Sequence, residues 1–258
     1  MFVHANGVKL HVRRLPDPPR PQEDRPAVVF VHGLSDSLAS FYFTLVSPVV
    51  DAGFDVITYD LRGHGRSGRP PTGYGIDDGI ADLAALLTGL GVTRPVHLVG
   101  YSLGGTIGYG FARRFPERVA TLVALEAEPA TEHWARRTAA GFDEVAEHLA
   151  REGGLVAEHP LIERAAAVAR RLSEETTART DLLAPASWLT GDQIAGITMP
   201  VLLVVGGISG LSARLDEFTG LLPDLTVRVI AGQEHMLLVH SPREVAETVV
   251  PWLEKHGR

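Results

Sequence analysis

The chain has 258 residues and no cysteine, and its 31 acidic and 24 basic residues give a net charge of −7. These numbers exclude disulfides, thiolate metal sites and a cysteine nucleophile, and an acidic chain without a basic stripe argues against a nucleic-acid partner. The length fits one large domain with an insertion. The first residues lack a basic stretch followed by an apolar run, and the longest apolar runs are strand-length, so we expect an untargeted cytoplasmic protein without a membrane span.

The first residues predict an antiparallel pair of strands. Asn6 and Gly7 separate two short runs, and Asn-Gly between two such runs is the strongest two-residue hairpin signal. The polar, proline-rich stretch 17–26 then predicts a connection rather than an element. The chain is therefore expected to begin with a hairpin that precedes the main part of the fold.

Six short apolar runs rich in valine and isoleucine predict parallel strands buried on both faces. They are 27–33, 55–60, 96–102, 119–126, 201–207 and 226–232. Helices are predicted at 39–52, 77–89, 103–115, 211–221 and 242–255. Strand–helix alternation is typical of an α/β fold with helices on both faces of the sheet. Counting the hairpin, we expect a mostly parallel sheet of roughly eight strands.

The interval 128–195 breaks the alternation because it carries no strand signal. Apolar residues recur there at helical spacing, in a first stripe of Phe142, Val145, Ala146 and Leu149 and a second of Leu161, Ala165, Val168 and Leu172. We predict a small helical cap inserted into a core formed by 1–127 and 196–258. Its stripes are expected to pack on the core, and Trp134 and Trp188 are candidates for lining a substrate pocket.

A glycine-x-serine-x-glycine pattern, Gly100, Ser102 and Gly104, falls where an apolar run ends and a predicted helix begins. A tight strand-to-helix turn holds a serine in strained backbone angles and lifts its hydroxyl clear of the sheet, beside a base. Side chains at the two glycine positions would collide across such a turn. This context predicts a nucleophile elbow rather than an ordinary turn with a capping serine.

A carbonyl attacked by Ser102 would need N–H donors for its developing oxyanion. The N–H of Leu103, at the start of the predicted helix, is one candidate, and the helix dipole would assist it. The N–H of Leu34, in the loop after the first parallel strand, is the second candidate for this oxyanion hole. His32 beside that loop and His64 in the glycine-rich "YDLRGHGRSG" are interpreted as structural hydrogen-bonding residues.

Together these motifs resemble the α/β-hydrolase superfamily over nearly the whole chain. The matching pieces are "VHG", "YDLRGHGRSG", "GYSLGG", "FPERVATLVALE" and "GQEHMLLVHSP". The resemblance implies that the helical insertion is the cap of that fold and that a substrate pocket lies between cap and sheet above Ser102. It also implies a histidine base after the last strand, and His235 matches that position. His240, near the last helix, and His97, within a strand, are the competing histidines.

A neutral imidazole needs a carboxylate on its other nitrogen to fix its tautomer and stabilise the imidazolium. The superfamily usually places this acid after the seventh strand, where the spacing puts Gly210. Many haloalkane dehalogenases carry it instead at the end of the sixth strand, and Glu126 matches that position. Both strand ends open on the same edge of the sheet, so Glu126 is the predicted acid. Glu128, Asp216 and a dyad without an acid remain as alternatives.

The predicted function is a serine esterase or thioesterase that acts through a Ser102-His235-Glu126 catalytic triad. Its substrate would be a small or medium-sized ester, thioester or related carbonyl compound, and no metal or cofactor is implied. Lyases and C–C bond hydrolases of the same fold, in which serine and histidine transfer protons, are one alternative. Inactive ligand-binding members are another, since the usual aspartate is absent. A serine nucleophile argues against the dehalogenase and epoxide-hydrolase branches. The oligomeric state stays open.

Overall fold

A mostly parallel sheet forms the centre of the protein in the computed structural model, which describes residues 1–16, 27–140 and 160–257. Within these ranges the sheet has eight strands in the order β1-β2-β4-β3-β5-β6-β7-β8. The strands are β1 (Phe2–Ala5), β2 (Val8–Leu15), β3 (Val28–Val31), β4 (Val56–Tyr59), β5 (Val96–Tyr101), β6 (Val119–Leu125), β7 (Val201–Gly206) and β8 (Leu225–Ile230). Only the β1-β2 and β2-β4 pairs are antiparallel. The expected α/β fold is therefore confirmed.

The opening hairpin follows from the two residues at its turn. Ala5 pairs with Val8 across the turn, and Asn6 and Gly7 have φ angles of 47° and 76°. A two-residue hairpin of this type needs positive φ at both positions, which asparagine and glycine tolerate best. The predicted connection over 17–26, which follows β2, lies outside the described residues.

The helices are α1 (Ala39–Phe41), α2 (Ser47–Asp51), α3 (Ile76–Gly89), α4 (Leu103–Arg114), α5 (132–140), α6 (Pro160–Glu175), α7 (Ala178–Leu182), α8 (Gly191–Ala195), α9 (Leu237–His240) and α10 (Pro242–His256). A π-helical turn, Tyr42–Val46, joins α1 to α2. Helices pack on both faces of the sheet, because strand residues such as Val29 share one apolar cluster with α3 and α4, and Val28 shares another with α10. The alternating burial of neighbouring strand residues into two clusters reflects the two-residue period of a strand.

The helix predicted over 211–221 is wrong as an α-helix. The segment forms two short 3₁₀ helices, Ser212–Glu217 and Thr219–Leu221, and Arg214 inside the first has non-helical angles. The Ser212 hydroxyl bonds back to the carbonyls of residues 207 and 209, which competes with helical hydrogen bonding. Gly220 and the following Leu222-Pro223 step also disfavour an α-helix.

The described part of the insertion is helical. Leu172 of α6 is buried against Tyr74 and Ala178, and Val168 packs beside them. The other predicted stripe, over 142–149, lies outside the described residues, and the exact boundaries 128–195 stay a prediction. In the ranges that the structure covers, no helix combines the length and the apolar character needed to cross a membrane.

Candidate active site

Ser102 occupies the turn between β5 and α4 in a strained conformation. Its φ of 51° and ψ of −122° are rarely adopted by a residue with a side chain. The turn is tight enough to require glycine on both sides. A Cβ on Gly100 would lie 2.5 Å from the backbone of Gly105, and one on Gly104 would collide with the carbonyl oxygen of Val31. The local geometry is that of a nucleophile elbow.

The loop after β3 passes directly over this turn. A Cβ on Gly33 would lie 3.2 Å from the Ser102 Cβ, and Leu34 lines the same cavity as Ser102. Leu103 follows the serine as the first residue of α4. The two segments that carry the candidate oxyanion donors, Leu34 and Leu103, therefore meet at Ser102.

Two buried histidines hold the loop after β3 and the one after β4 together. His32 donates from Nδ1 to the Gly33 carbonyl (2.7 Å) and accepts at Nε2 from the Leu61 N–H (2.9 Å). His64 accepts at Nε2 from the Ser35 N–H (3.1 Å). Burial lowers the pKa of His32 to about 4 and that of His64 to about 3, so both rings are neutral near pH 7. Their contacts agree with the structural role expected of them.

Glu126 and His235 are brought together from the ends of β6 and β8. The Nδ1 of His235 lies 3.2 Å from Oε2 of Glu126, and Oε1 of Glu126 accepts the Gly206 N–H at 2.5 Å. Glu126 has a φ of 50° and is 4 % exposed. A buried carboxylate is costly unless its oxygens are hydrogen-bonded, and here both have partners. The arrangement fixes the imidazole so that Nε2 is its second, available nitrogen.

The alternative candidates have other surroundings, although Glu128 lines the same cavity as Ser102 and His235. Glu128 contacts Arg137 and Arg214 instead of the histidine, and Asp216 is exposed in the first 3₁₀ helix. His240 is exposed at the end of α9. His97 is buried in β5, where its Nδ1 contacts the Thr121 hydroxyl at 2.8 Å.

Two residues that the sequence reasoning missed hold the histidine loop in place. The Tyr101 ring stacks on His235 with centroids 5.3 Å apart, and its hydroxyl donates to the His235 carbonyl oxygen (2.9 Å). A Cβ on Gly206 would collide with the carbonyl oxygen of Gln233. A glycine ending an apolar strand signals such a close backbone approach, whereas nothing near Tyr101 in the sequence marked its contact.

Ser102, Glu126 and His235 all line one cavity of about 670 Å³. Trp134 and Leu211 give it an apolar wall, and Gly210 also lines it. Trp188, the other predicted pocket residue, is not among the lining residues that the structure describes. Trp188 packs instead against the core cluster beside the sheet. The direction in which a cap residue faces depends on how the cap packs, which a lone tryptophan in the sequence does not indicate.

The described residues hold no group of three or more histidine, aspartate or glutamate side chains placed to bind a metal ion. At the cavity, Glu126 and His235 are hydrogen-bonded to each other. A serine hydroxyl, an imidazole and a carboxylate that line one cavity are the groups that nucleophilic catalysis by serine requires.

Comparisons with known proteins agree with this fold. Residues 26–167 match the family described as the alpha/beta hydrolase fold. The 2-(acetamidomethylene)succinate hydrolase of Mesorhizobium japonicum is 29% identical over 248 residues, which cover 89% of this chain and 88% of that protein. The non-heme chloroperoxidase of Streptomyces lividans is 39% identical over 102 residues, 40% of this chain and 37% of that protein.

Two solved structures share the fold over nearly their full lengths. A thermophilic esterase from Thermogutta terrifontis has a TM-score of 0.77 at 23% identity and covers 100% of this chain and 99% of its own. The enol-lactonase from Burkholderia xenovorans has a TM-score of 0.71 at 22% identity, with 98% and 99% covered. The family match over more than half of the chain is decisive, and the protein is an enzyme of the α/β-hydrolase family.

Proposed function

We propose that the protein is a serine hydrolase that cleaves esters or thioesters of small or medium-sized carboxylic acids. The observation that carries this proposal is the placement of a strained Ser102 on the same cavity wall as the bonded pair Glu126 and His235. A serine, a base and a third group that orients the base are the parts that nucleophilic catalysis needs.

In the proposed reaction, Nε2 of His235 takes the proton of the Ser102 hydroxyl while the oxygen attacks the substrate carbonyl. Glu126 holds Nδ1–H and stabilises the imidazolium that forms. The N–H groups of Leu34 and Leu103 donate to the oxyanion. The imidazolium then protonates the leaving group, and water, deprotonated by the same histidine, releases the acid from Ser102. The atoms balance with the substrate and one water molecule as the reactants.

The names of related proteins support hydrolysis as the reaction class. The relative from Mesorhizobium japonicum is a hydrolase whose named substrate is a succinate derivative. The structure from Thermogutta terrifontis is an esterase. Neither name fixes the bond that this protein cleaves, so a substrate panel has to include thioesters beside esters.

A fluorophosphonate probe tests the proposal directly. We expect one covalent adduct by intact mass, lost in Ser102→Ala and in His235→Ala but kept in Ser47→Ala, which removes an exposed hydroxyl on α2. A graded series of 4-nitrophenyl esters and acyl thioesters should then show turnover. Labelling without turnover on either series would favour the lyase or C–C hydrolase alternative. Absence of labelling would overturn the proposal that Ser102 is an activated nucleophile.

A further inference from the structure

The cavity carries two arginines that the proposed reaction does not use. Arg137 lies on α5 and Arg214 in the 3₁₀ helix after β7, and both line the cavity with Ser102. Their side chains are 28% and 26% exposed, so the guanidinium groups are partly withdrawn from solvent. In such surroundings a charged pair is screened less than at the surface.

One carboxylate, that of Glu128, serves both arginines. Arg214 Nη2 lies 3.0 Å from its Oε1, and Arg137 Nη2 donates to its Oε2. The Glu128 side chain is 12% exposed. Two positive charges therefore face one negative charge at the cavity wall.

Two further acidic groups lie near this cluster. Glu217 is 3.5 Å from Arg137 Nη1, but its side chain is 43% exposed, and exposed ion pairs contribute little. Glu126 lines the cavity but is engaged by His235. Among the described residues, Glu128 is therefore the one largely buried carboxylate that pairs with these two arginines.

The hydrogen-bond donors of the cluster also exceed its acceptors. Arg214 Nη1 donates to the Gly210 carbonyl. The Nε atoms of Arg137 and Arg214 are buried without a hydrogen-bond partner among the residues described. A guanidinium has five N–H donors, and donors left unmatched in a partly buried site are costly. Each Nη atom carries a second N–H beyond the contact named for it, and these donors would stabilise an additional anionic acceptor in the cavity.

We propose that the substrate carries a second, anionic carboxylate, which Arg137 and Arg214 bind while its ester or thioester carbonyl lies at Ser102. The planar fork of arginine favours carboxylates through paired, charge-assisted hydrogen bonds. A cavity of about 670 Å³ has the size of a small-molecule site. The position of the reacting carbonyl at Ser102 rests on the proposed function, whereas the binding of a carboxylate by the two arginines does not.

The direction of the KM change in a Glu128 variant distinguishes a structural role of the two arginines from a role in binding. If Arg137, Arg214 and Glu128 serve only to hold the cap to the core, Glu128→Gln should destabilise the protein and weaken the binding of any ligand. If the arginines bind a carboxylate, Glu128 competes with the ligand for the same N–H groups. We then expect Glu128→Gln to lower the KM for an anionic substrate.

A pair of substrates tests the preference. Mono-4-nitrophenyl adipate carries a terminal carboxylate, and 4-nitrophenyl adipamate is its neutral isostere. We expect the wild type to prefer the acid by about tenfold or more in kcat/KM, equivalent to one hydrogen-bonded charge pair. Arg137→Gln and Arg214→Gln should each remove that preference, so that kcat/KM for the acid falls to that for the adipamate or below it. Arg136→Gln is the matched control, since Arg136 is the exposed neighbour that pairs with Glu132.

A binding measurement separates failure of the anion site from failure of the proposed function. Adipate should bind Ser102→Ala by calorimetry and lose measurable binding when Arg214→Gln is added. Such binding with no hydrolysis of either ester would support the carboxylate site and overturn the serine-hydrolase proposal. Equal hydrolysis of the two esters, or adipate binding that survives both arginine substitutions, would overturn the carboxylate site and leave the hydrolase standing.

Discussion

Oε2 of Glu126 lies 3.2 Å from Nδ1 of His235 although 109 residues separate them in the chain. The two side chains differ sharply in exposure, at 1% for the glutamate and 51% for the histidine. The Gly206 N–H holds the Glu126 carboxylate inside the protein, and the His235 ring extends from it towards the cavity. A carboxylate in this position can orient the ring without contacting substrate. The end of the sixth strand thus places a carboxylate beside His235, whereas the loop after the seventh strand has Gly210 at the expected position.

Replacing Glu126 by glutamine should reduce kcat on a 4-nitrophenyl ester by roughly a thousandfold or more, because an amide neither fixes the required tautomer nor stabilises imidazolium. The amide fills the same space, so the thermal midpoint should change little. Glu132→Gln, an exposed change on α5, is the control and should keep wild-type kcat. Near-native turnover in Glu126→Gln would remove the residue from the triad.

Tyr101→Phe should lower kcat by up to about tenfold with little change in KM, since the loss of one hydrogen bond is worth roughly 1 kcal/mol. The phenyl ring keeps the stacking contact with His235, whereas the bond from the hydroxyl to the histidine carbonyl is lost. Steady-state kinetics on one ester would separate the two parameters. A rise in KM alone would mean that Tyr101 contacts substrate rather than positioning the base.

Gly206→Ala should displace the histidine loop. The new Cβ would collide with the Gln233 carbonyl and lie 2.6 Å from that of Glu234, and the displaced loop carries His235. Overpacking of this kind costs about 1–3 kcal/mol, so we expect lower stability in urea together with a marked loss of kcat. Gly220→Ala is the matched control because nothing lies within 4 Å of its Cβ. Equal behaviour of the two variants would contradict the packing argument.

Local signals in the sequence predict most of the fold and the position of Ser102. Asn6-Gly7 and the apolar runs placed the strands, and Ser102 with its flanking glycines marked the elbow. Arg137 and Arg214 escaped notice, since each is a single polar residue in its own segment. Their common partner Glu128 is 86 residues from Arg214 in the chain. The pocket prediction for Trp188 has the same limit. Which cap residues face the cavity depends on contacts between segments that are far apart in the sequence.

The buried histidines predict that acid destabilises the protein before its carboxylates protonate. Burial lowers the pKa of His32, His64 and His97 from 6.5 to about 4, 3 and 4. The unfolded chain therefore binds more protons than the folded chain below pH 6.5. Stability should be greatest above that pH and should fall as the pH is lowered towards 4, by at most about 1.4 kcal/mol per pH unit for each histidine.

His97→Asn isolates the contribution of His97 to the pH dependence of stability. His97 is remote from the cavity and contacts only the Thr121 hydroxyl among the hydrogen bonds described. Urea unfolding at pH 5 and pH 7 should show a pH slope smaller than that of the wild type, by at most about 1.4 kcal/mol per pH unit. The exposed His240→Asn variant should keep the wild-type slope. If His97→Asn and the wild type lose stability in parallel on acidification, His97 is not held neutral by burial.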